Sequence, residues 1–307
     1  MTAKEKQEQI KIVTRQNQRY FYDLVTQDFL DLEVEKTNTN YKIAVLISGG
    51  MRNFATTQVW MNKFLIEPLN ADVFVHGWQT VDGLESDIEN VKNYTNIKDY
   101  KIQDRTKITI PIPDTMYDKY PRHVSEGWGM EVADHIVGQL YNIKSCHDLI
   151  EKYESSNNLK YDIIIRVRPD EFWFEKIQDS DIDYVFNNKC VGTPQSYIGG
   201  TISGLHVVND RFAMGSRQIM SEYCDMFSFV KEYSHHAPAD VATEFYTNFH
   251  ICNTMKTSIH NIDITFMLEY PGDYTLEKGF DPTTARHLTQ NDSNVAIHVA
   301  NKIKNKN

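Results

Sequence analysis

Apolar residues recur along this chain with two periods, and their alternation predicts an α/β sheet. Continuous apolar runs stand at residues 43–47 (I-A-V-L-I) and 163–165 (I-I-I). Such runs mark strands buried on both faces. After the first run come the turn Ser48-Gly49-Gly50 and a helical pattern over 54–66, with Trp60 and Phe64 four residues apart on one face; Pro68 and Asn70 end it. The next strand is D-V-F-V-H at 72–76, followed by Gly77-Trp78. Strand, glycine turn, helix and strand make a βαβ unit, hence a parallel pair with a right-handed crossover. A long helix over 130–153, with Ile136, Leu140, Ile143 and Leu149 as its stripe, feeds the strand in Y-D-I-I-I-R-V-R-P-D-E-F-W (161–173).

Farther on lie D-Y-V-F at 183–186, C-V-G-T, a turn at Gly199-Gly200, and a strand and turn in L-H-V-V-N-D-R-F-A-M-G-S (205–216). Helical stretches follow at 216–233 and 239–252, then short closing strands. Residues 80–125 are charged and turn-rich, with Pro111, Pro113 and Pro121, and read as an insertion or a loop over the site. Residues 1–38 stand apart: Ile10, Val13, Tyr20, Phe21, Leu24, Val25 and Phe29 recur near helical spacing among Lys, Glu and Gln. They predict one or two amphipathic helices packing on the main body or, in an oligomer, on a second subunit, with T-N-T-N at 37–40 as a linker. The expected division is a helical extension over 1–40 and an α/β domain over 41–307.

Composition narrows the function classes. Of 307 residues, 41% are hydrophobic and 12% aromatic, enough for a packed core. A net charge of -10 argues against a nucleic-acid partner, so an anionic ligand would be held by local positive charge against the overall field. Cys146, Cys190, Cys224 and Cys252 form no CxxC pair, which points to a reducing compartment. The polar start M-T-A-K-E-K-Q-E-Q lacks a signal-peptide core and no run reaches membrane-spanning length, so a soluble, cytoplasmic protein is expected.

Chemistry gathers where strands end. Arg166, Arg168 and Asp170 alternate, and period two puts them on one face if the strand continues that far. Two fixed cations and a carboxylate suit a bound diphosphate; an internal Arg–Asp ion pair is the plainer explanation. Ser48, Gly49 and Gly50 end a strand before a helix start, where backbone N–H groups meet anions, and Arg52 would add a guanidinium fork. There is neither a Walker loop nor G-x-G-x-x-G. His76 and Trp78 end the next strand, where an aromatic stacks on a base or sugar or else packs beneath a loop. Asn209, Asp210 and Arg211 form a turn, with Gly215-Ser216 opening a helix; Asp210 reads as a base, a sugar ligand or a turn former. Glu244 lies among apolar residues on a predicted helix, a setting that raises a carboxyl pKa, unless that face is solvated. No histidine pair has convincing metal-ligand spacing, and Ser48 has no evident His–Asp partners.

Three pieces in order, I-A-V-L-I-S-G-G-M-R-N-F with D-V-F-V-H-G-W, then Y-D-I-I-I-R-V-R-P-D, then N-D-R-F-A-M-G-S, resemble glycosyltransferase-like proteins of bacteria, bacteriophages and large algal viruses that act in surface-glycan synthesis. The likeness spans roughly residues 42–250. It implies a GT-A-like (Rossmann-like) fold: a mixed, mainly parallel sheet flanked by helices. It implies a nucleotide-diphosphate sugar donor (UDP- or GDP-sugar) and transfer to a hydroxyl of a glycan acceptor. On it, Ser48, Gly49, Gly50, Arg52, His76, Arg166, Arg168 and Asp170 would bind the donor, Trp173 and Asn209 the sugar or acceptor, and Asp210 and Glu244 would be catalytic. Asp170 would be the ligand of Mn or Mg. Where most GT-A enzymes carry D-x-D this chain reads R-P-D, and an arginine neutralises phosphate but ligates no metal, so metal independence is equally open. A non-catalytic nucleotide- or glycan-binding protein on the same fold, or a nucleotidyltransferase, is the alternative.

Overall fold

The computed structural model describes residues 33–51, 54–79, 84–119, 132–173, 175–194, 208–236, 243–262, 264 and 266–268. Seven strands form one sheet: β1 (Ile43–Gly50), β2 (Asp72–Trp78), β3 (Ile97–Gln103), β4 (Ile163–Val167), β6 (Val191–Pro194), β7 (Ala213–Ser216) and β8 (Ile259–Ile262). Their order is β3-β2-β1-β4-β7-β6-β8. β7 runs against β4 and β6, whereas the other neighbours are parallel. β5 (Glu171–Trp173) and β9 (Phe266–Leu268) make a separate antiparallel ribbon. The fold is thus α/β and Rossmann-like, with the parallel β1–β2 pair that the βαβ pattern predicts.

Period two sorts each strand between two cores. Ile43, Val45 and Ile47 of β1, with Ile163, Ile165 and Val167 of β4, face α1 (Phe54–Met61), α2 (Leu84–Lys92) and α5 (Asp179–Asn188). Ala44, Leu46 and Ile164 face α4 (Val132–Asn157), α6 (Arg217–Cys224), α7 (Val230–His236) and α8 (Thr243–Phe249), with Met116 of α3 (Asp114–Lys119) beside them. Burying each of these aliphatic side chains contributes about 1.5–3 kcal/mol. At the amino end of β4, buried Glu154 accepts hydrogen bonds from Arg217, from Lys160 at 2.8 Å and from the Tyr161 amide at 3.1 Å. That cluster staples α4 to the strand it feeds and to α6.

Several sequence expectations change in three dimensions. Residues 84–103 are not a loop: they form α2 and the edge strand β3, whose lysines and half-buried pattern hide its periodicity. Pro68 lies inside the closing turn of the first helix rather than ending it. A π-turn over Asn62–Ile66 leads into that turn, and Asn70, left-handed at φ 47°, stops the helix. In the 205–216 segment the strand follows the Asn209–Asp210 turn, and Ser216 caps α6. The T-N-T-N segment is no free linker: Thr37 donates to the Pro68 carbonyl through its amide (2.9 Å) and hydroxyl (3.0 Å), and the Asn38 amide donates to Asp179 (2.9 Å). The helices expected within residues 1–32 lie outside the described residues.

β1 and β4 are neighbours at the point where strand order turns, β2 and β3 lying to one side and β7, β6 and β8 to the other. Ligands of open α/β sheets bind in the crevice outside the carboxyl ends of the strands at such a point. One glycine there is structurally required. Gly49 has φ 151°, and a Cβ on it would stand 3.0 Å from Pro169 Cδ. Gly49→Ala is expected to destabilise the fold by about 1–3 kcal/mol, read as a lowered urea midpoint at unchanged slope; an unchanged midpoint would show that the Pro169 loop yields.

Candidate functional site at the carboxyl rim of the sheet

Just beneath the rim, one face of the sheet carries polar rather than apolar side chains. Ser48 pairs in register with His76 across β1–β2, and Arg166 stands beside them on β4. Arg166 is 1% exposed. Its Nε–H donates to Ser48 Oγ at 3.3 Å, and its guanidinium donates to the backbone carbonyl of Asp210. The expectation that Arg166 grips a ligand at the surface is therefore corrected. Its position on the α4–α6 side of β4 sends it inward, where it ties the end of β1 to the turn before β7.

Pro169 lacks an N–H, so the ladder of β4 ends at Val167 and Arg166, Arg168 and Asp170 do not share a strand face. Arg168 instead folds onto Asp170, Nε to Oδ1 at 2.8 Å and Nη2 to Oδ2 at 2.7 Å. Its side chain is 20% exposed against 5% for Asp170. Burial works against the Arg168 charge, but Asp170, Asp210 and Glu171 raise its pKa above the ordinary value. The Pro169 carbonyl accepts from the Thr57 hydroxyl at 2.5 Å, which docks this loop on α1.

Asp210 reaches the same rim because β7 is reversed, so that residues leading into it stand beside those leaving β1 and β4. Asn209 accepts the Arg211 amide at 2.9 Å and shapes the turn. Gln139 of α4 donates to Asp210 Oδ2 at 2.6 Å. Glu244, half-buried at the start of α8, is pushed up to about 7 by burial and then by the Asp210 charge, with Arg211 and Arg168 opposing. Arg168, Asp170, Asp210 and Glu244 are thus brought together.

Other expected site residues sit elsewhere. His76 is fully buried. With the Asn142 amide nitrogen turned toward it, that nitrogen donates to His76 Nδ1 and to the His76 carbonyl (2.9 Å). The Asn142 oxygen then accepts from the Trp78 indole (3.2 Å) and the Gly49 amide (3.1 Å). His76 Nε2 meets Gln103 at 2.9 Å, and burial lowers its pKa, which leaves it neutral. Both nitrogens and the Gly49 amide are already engaged, so His76 and Gly49 brace the rim instead of meeting a ligand. Trp173 is 0% exposed and packs on Phe212 at 5.6 Å, which makes it a core residue. Ser48 is buried against Arg166, Gly50 is half-buried at the end of β1, and Arg52 lies outside the described residues.

Glu171 has no role in the sequence reading, yet it is 0% exposed and neither carboxyl oxygen has a hydrogen-bond partner among the described residues. Burial raises its pKa to about 8 despite Arg166 and Arg168. The Tyr223 hydroxyl, buried near Arg166, is likewise unpartnered among the described residues. Gln139 and Asn142 left one faint trace in the sequence, polar residues three apart within the apolar stripe of a long helix.

Mn or Mg requires several oxygens free of other partners. Both oxygens of Asp170 are taken by Arg168, and the rim carboxylates form no three-ligand cluster among the described residues. The rim as built does not fit such an ion. A cluster does occur on α4, where ligand atoms of His147, Asp148 and Glu151 lie within 4.8 Å of one another. There Lys144 stands 3.9 Å from Asp148 and Arg217 stands 3.1 Å from Glu151, so cations already answer these carboxylates. All four cysteines are free thiols. No helix among the described residues is long and apolar enough to cross a membrane.

The class so defined is a Rossmann-like α/β protein with an arginine–carboxylate cluster at the switch point of its sheet. Residues 38–266 match a family described as a domain of unknown function, DUF7796, and the chain belongs to that family. No curated protein matches it.

Because the folded pKa of Glu171 is raised, its stabilising share is complete below the unfolded value near 4.3 and is lost as pH rises through about 8. Glu171→Gln should therefore gain stability relative to wild type between pH 5 and 8.5, by roughly 2–4 kcal/mol in urea melts. A difference that stays constant over that range would contradict a buried neutral carboxyl.

Proposed function

We propose that this chain is a glycosyltransferase of GT-A-like fold that moves a sugar from a UDP- or GDP-sugar to a hydroxyl of a glycan. The observation that carries this reading is the set Arg168, Asp170, Asp210 and Glu244 gathered at the carboxyl end of β4 and the turn before β7, the edge of the sheet at which open α/β folds hold their ligands. The ordered sequence likeness and the mainly parallel sheet agree with it. Transfer needs a cation for the diphosphate that leaves as charge grows on it, and a base for the attacking hydroxyl. Arg168 supplies the cation. It is the arginine of the β4 end that is partly open, and its fork is already presented in bidentate form to an oxyanion, Asp170. Arg166 acts from below by holding the Asp210 turn. Asp210 and Glu244 are the carboxylates within reach of proton chemistry.

Because the charge on the diphosphate is met by Arg168, UDP or GDP should bind equally well with excess Mg or with EDTA in calorimetry. Arg168→Ala should weaken that binding roughly tenfold to a hundredfold in EDTA, the worth of a charge-assisted contact. Equal affinity of wild type and Arg168→Ala would remove the role given to Arg168. Release of nucleoside diphosphate from a panel of UDP- and GDP-hexoses separates a transferase from a protein that only binds.

A further inference from the structure

Asp210 is held by two other elements, β4 and α4, and its own turn is closed by a local hydrogen bond. The Arg166 guanidinium fixes its backbone carbonyl, and Arg166 is itself fixed by Ser48 of β1. The Asn209 side chain closes the turn through the Arg211 amide at 2.9 Å. The carboxylate is gripped from α4 by the Gln139 amide, Nε2 to Oδ2 at 2.6 Å. An amide N–H can only donate, so Oδ2 is the acceptor here, and among the described residues Oδ1 receives no hydrogen bond and stays available to a substrate. Asp210 is also 6% exposed, and a carboxylate so placed needs such a partner. Among the described residues Glu244 has no comparable support from a side-chain donor, and burial together with the Asp210 charge keeps a proton on it near neutral pH. A carboxyl group that keeps its proton and a neighbour held by a donor take different tasks.

We propose that Gln139 is a positioning residue that makes Asp210, rather than Glu244, the base of the transfer. This rests on the glycosyltransferase reading above. In the step, the acceptor O–H bond breaks and its proton passes to Asp210 Oδ1. The oxygen's electron pair forms the new bond to the sugar carbon, and the bond from that carbon to the diphosphate breaks with its pair leaving on the diphosphate. Gln139 touches neither sugar nor diphosphate. It holds Oδ2, so that Oδ1 keeps one direction and its lone pair stays free.

Two measurements test this on the full chain. In ¹⁵N-labelled protein the Gln139 side-chain amide, assigned with Gln139→Asn, should be shifted and slow to exchange, and Asp210→Asn should abolish that signature. An amide unaffected by Asp210→Asn overturns the contact whatever the activity. With the best of the UDP- and GDP-hexoses, Gln139→Ala should lower kcat at least tenfold with donor KM within about threefold. The acidic limb of its rate profile should move to higher pH, and Gln139→Glu should be slower still, since it sets a like charge against Asp210. Glu244→Gln should keep more activity than Asp210→Asn. A variant that is less stable but retains wild-type kcat and pH limb makes Gln139 merely structural and ends the proposal. Absence of any nucleoside diphosphate release by wild type, with the amide signature intact, removes the base and the transferase reading together while leaving the Gln139–Asp210 contact standing.

Discussion

A guanidinium buried in the middle of a sheet is costly unless it finds acceptors, and Arg166 finds two, the Ser48 hydroxyl and the Asp210 carbonyl. Those partners come from β1 and from the turn before β7, one strand on either side of β4. The rim can therefore exist only with β1, β4 and β7 side by side and with β7 reversed. Were β7 parallel to its neighbours, Asp210 would emerge at the opposite edge and Arg166 would face hydrocarbon. The same constraint draws Tyr223 and Cys224 of α6 close beneath the arginine.

Above that foundation the charges divide by solvent access. Arg168 keeps part of its side chain open and is always cationic, whereas Asp170 beside it is nearly shut away. Glu171 and Glu244 retain protons into the neutral range because burial penalises their ions more than the nearby arginines favour them. With both protonated, Arg166 and Arg168 stand against Asp170 and Asp210, a balanced buried set. That balance leaves this rim without the negative excess that the chain carries as a whole.

Pro169 links the two halves of this arrangement. By ending β4 it turns Arg168 away from the path of Arg166, and its ring occupies the space that a Cβ on Gly49 would need. Gly49, at the end of β1, is thereby explained by a neighbouring loop rather than by a ligand's approach. His76 and Asn142 complete the brace: a neutral imidazole and an amide link β2, β3, α4 and the Gly49 amide, and they hold the glycine turn against Pro169.

The sequence by itself determined strands β1, β2 and β4, the helix that feeds β4 and the helix start at Ser216. These depend on apolar periods, turn chemistry and separations of a few residues, which a linear pattern carries directly. Only the tertiary structure decided that Arg166 points into the core, that Trp173 belongs to the packing, that Asp210 meets Gln139 from 71 residues away, that Arg168 rather than Arg166 pairs with Asp170, and that the Glu171 carboxyl has no hydrogen-bond partner among the described residues. Edge strand β3 is illegible in the sequence for a related reason, since a half-buried strand with two lysines lacks the apolar run that marks a central one. Local pattern fixes which face a side chain takes. It holds no information about the direction of a distant strand, and here the reversal of β7 is what places the carboxylate beside the arginines.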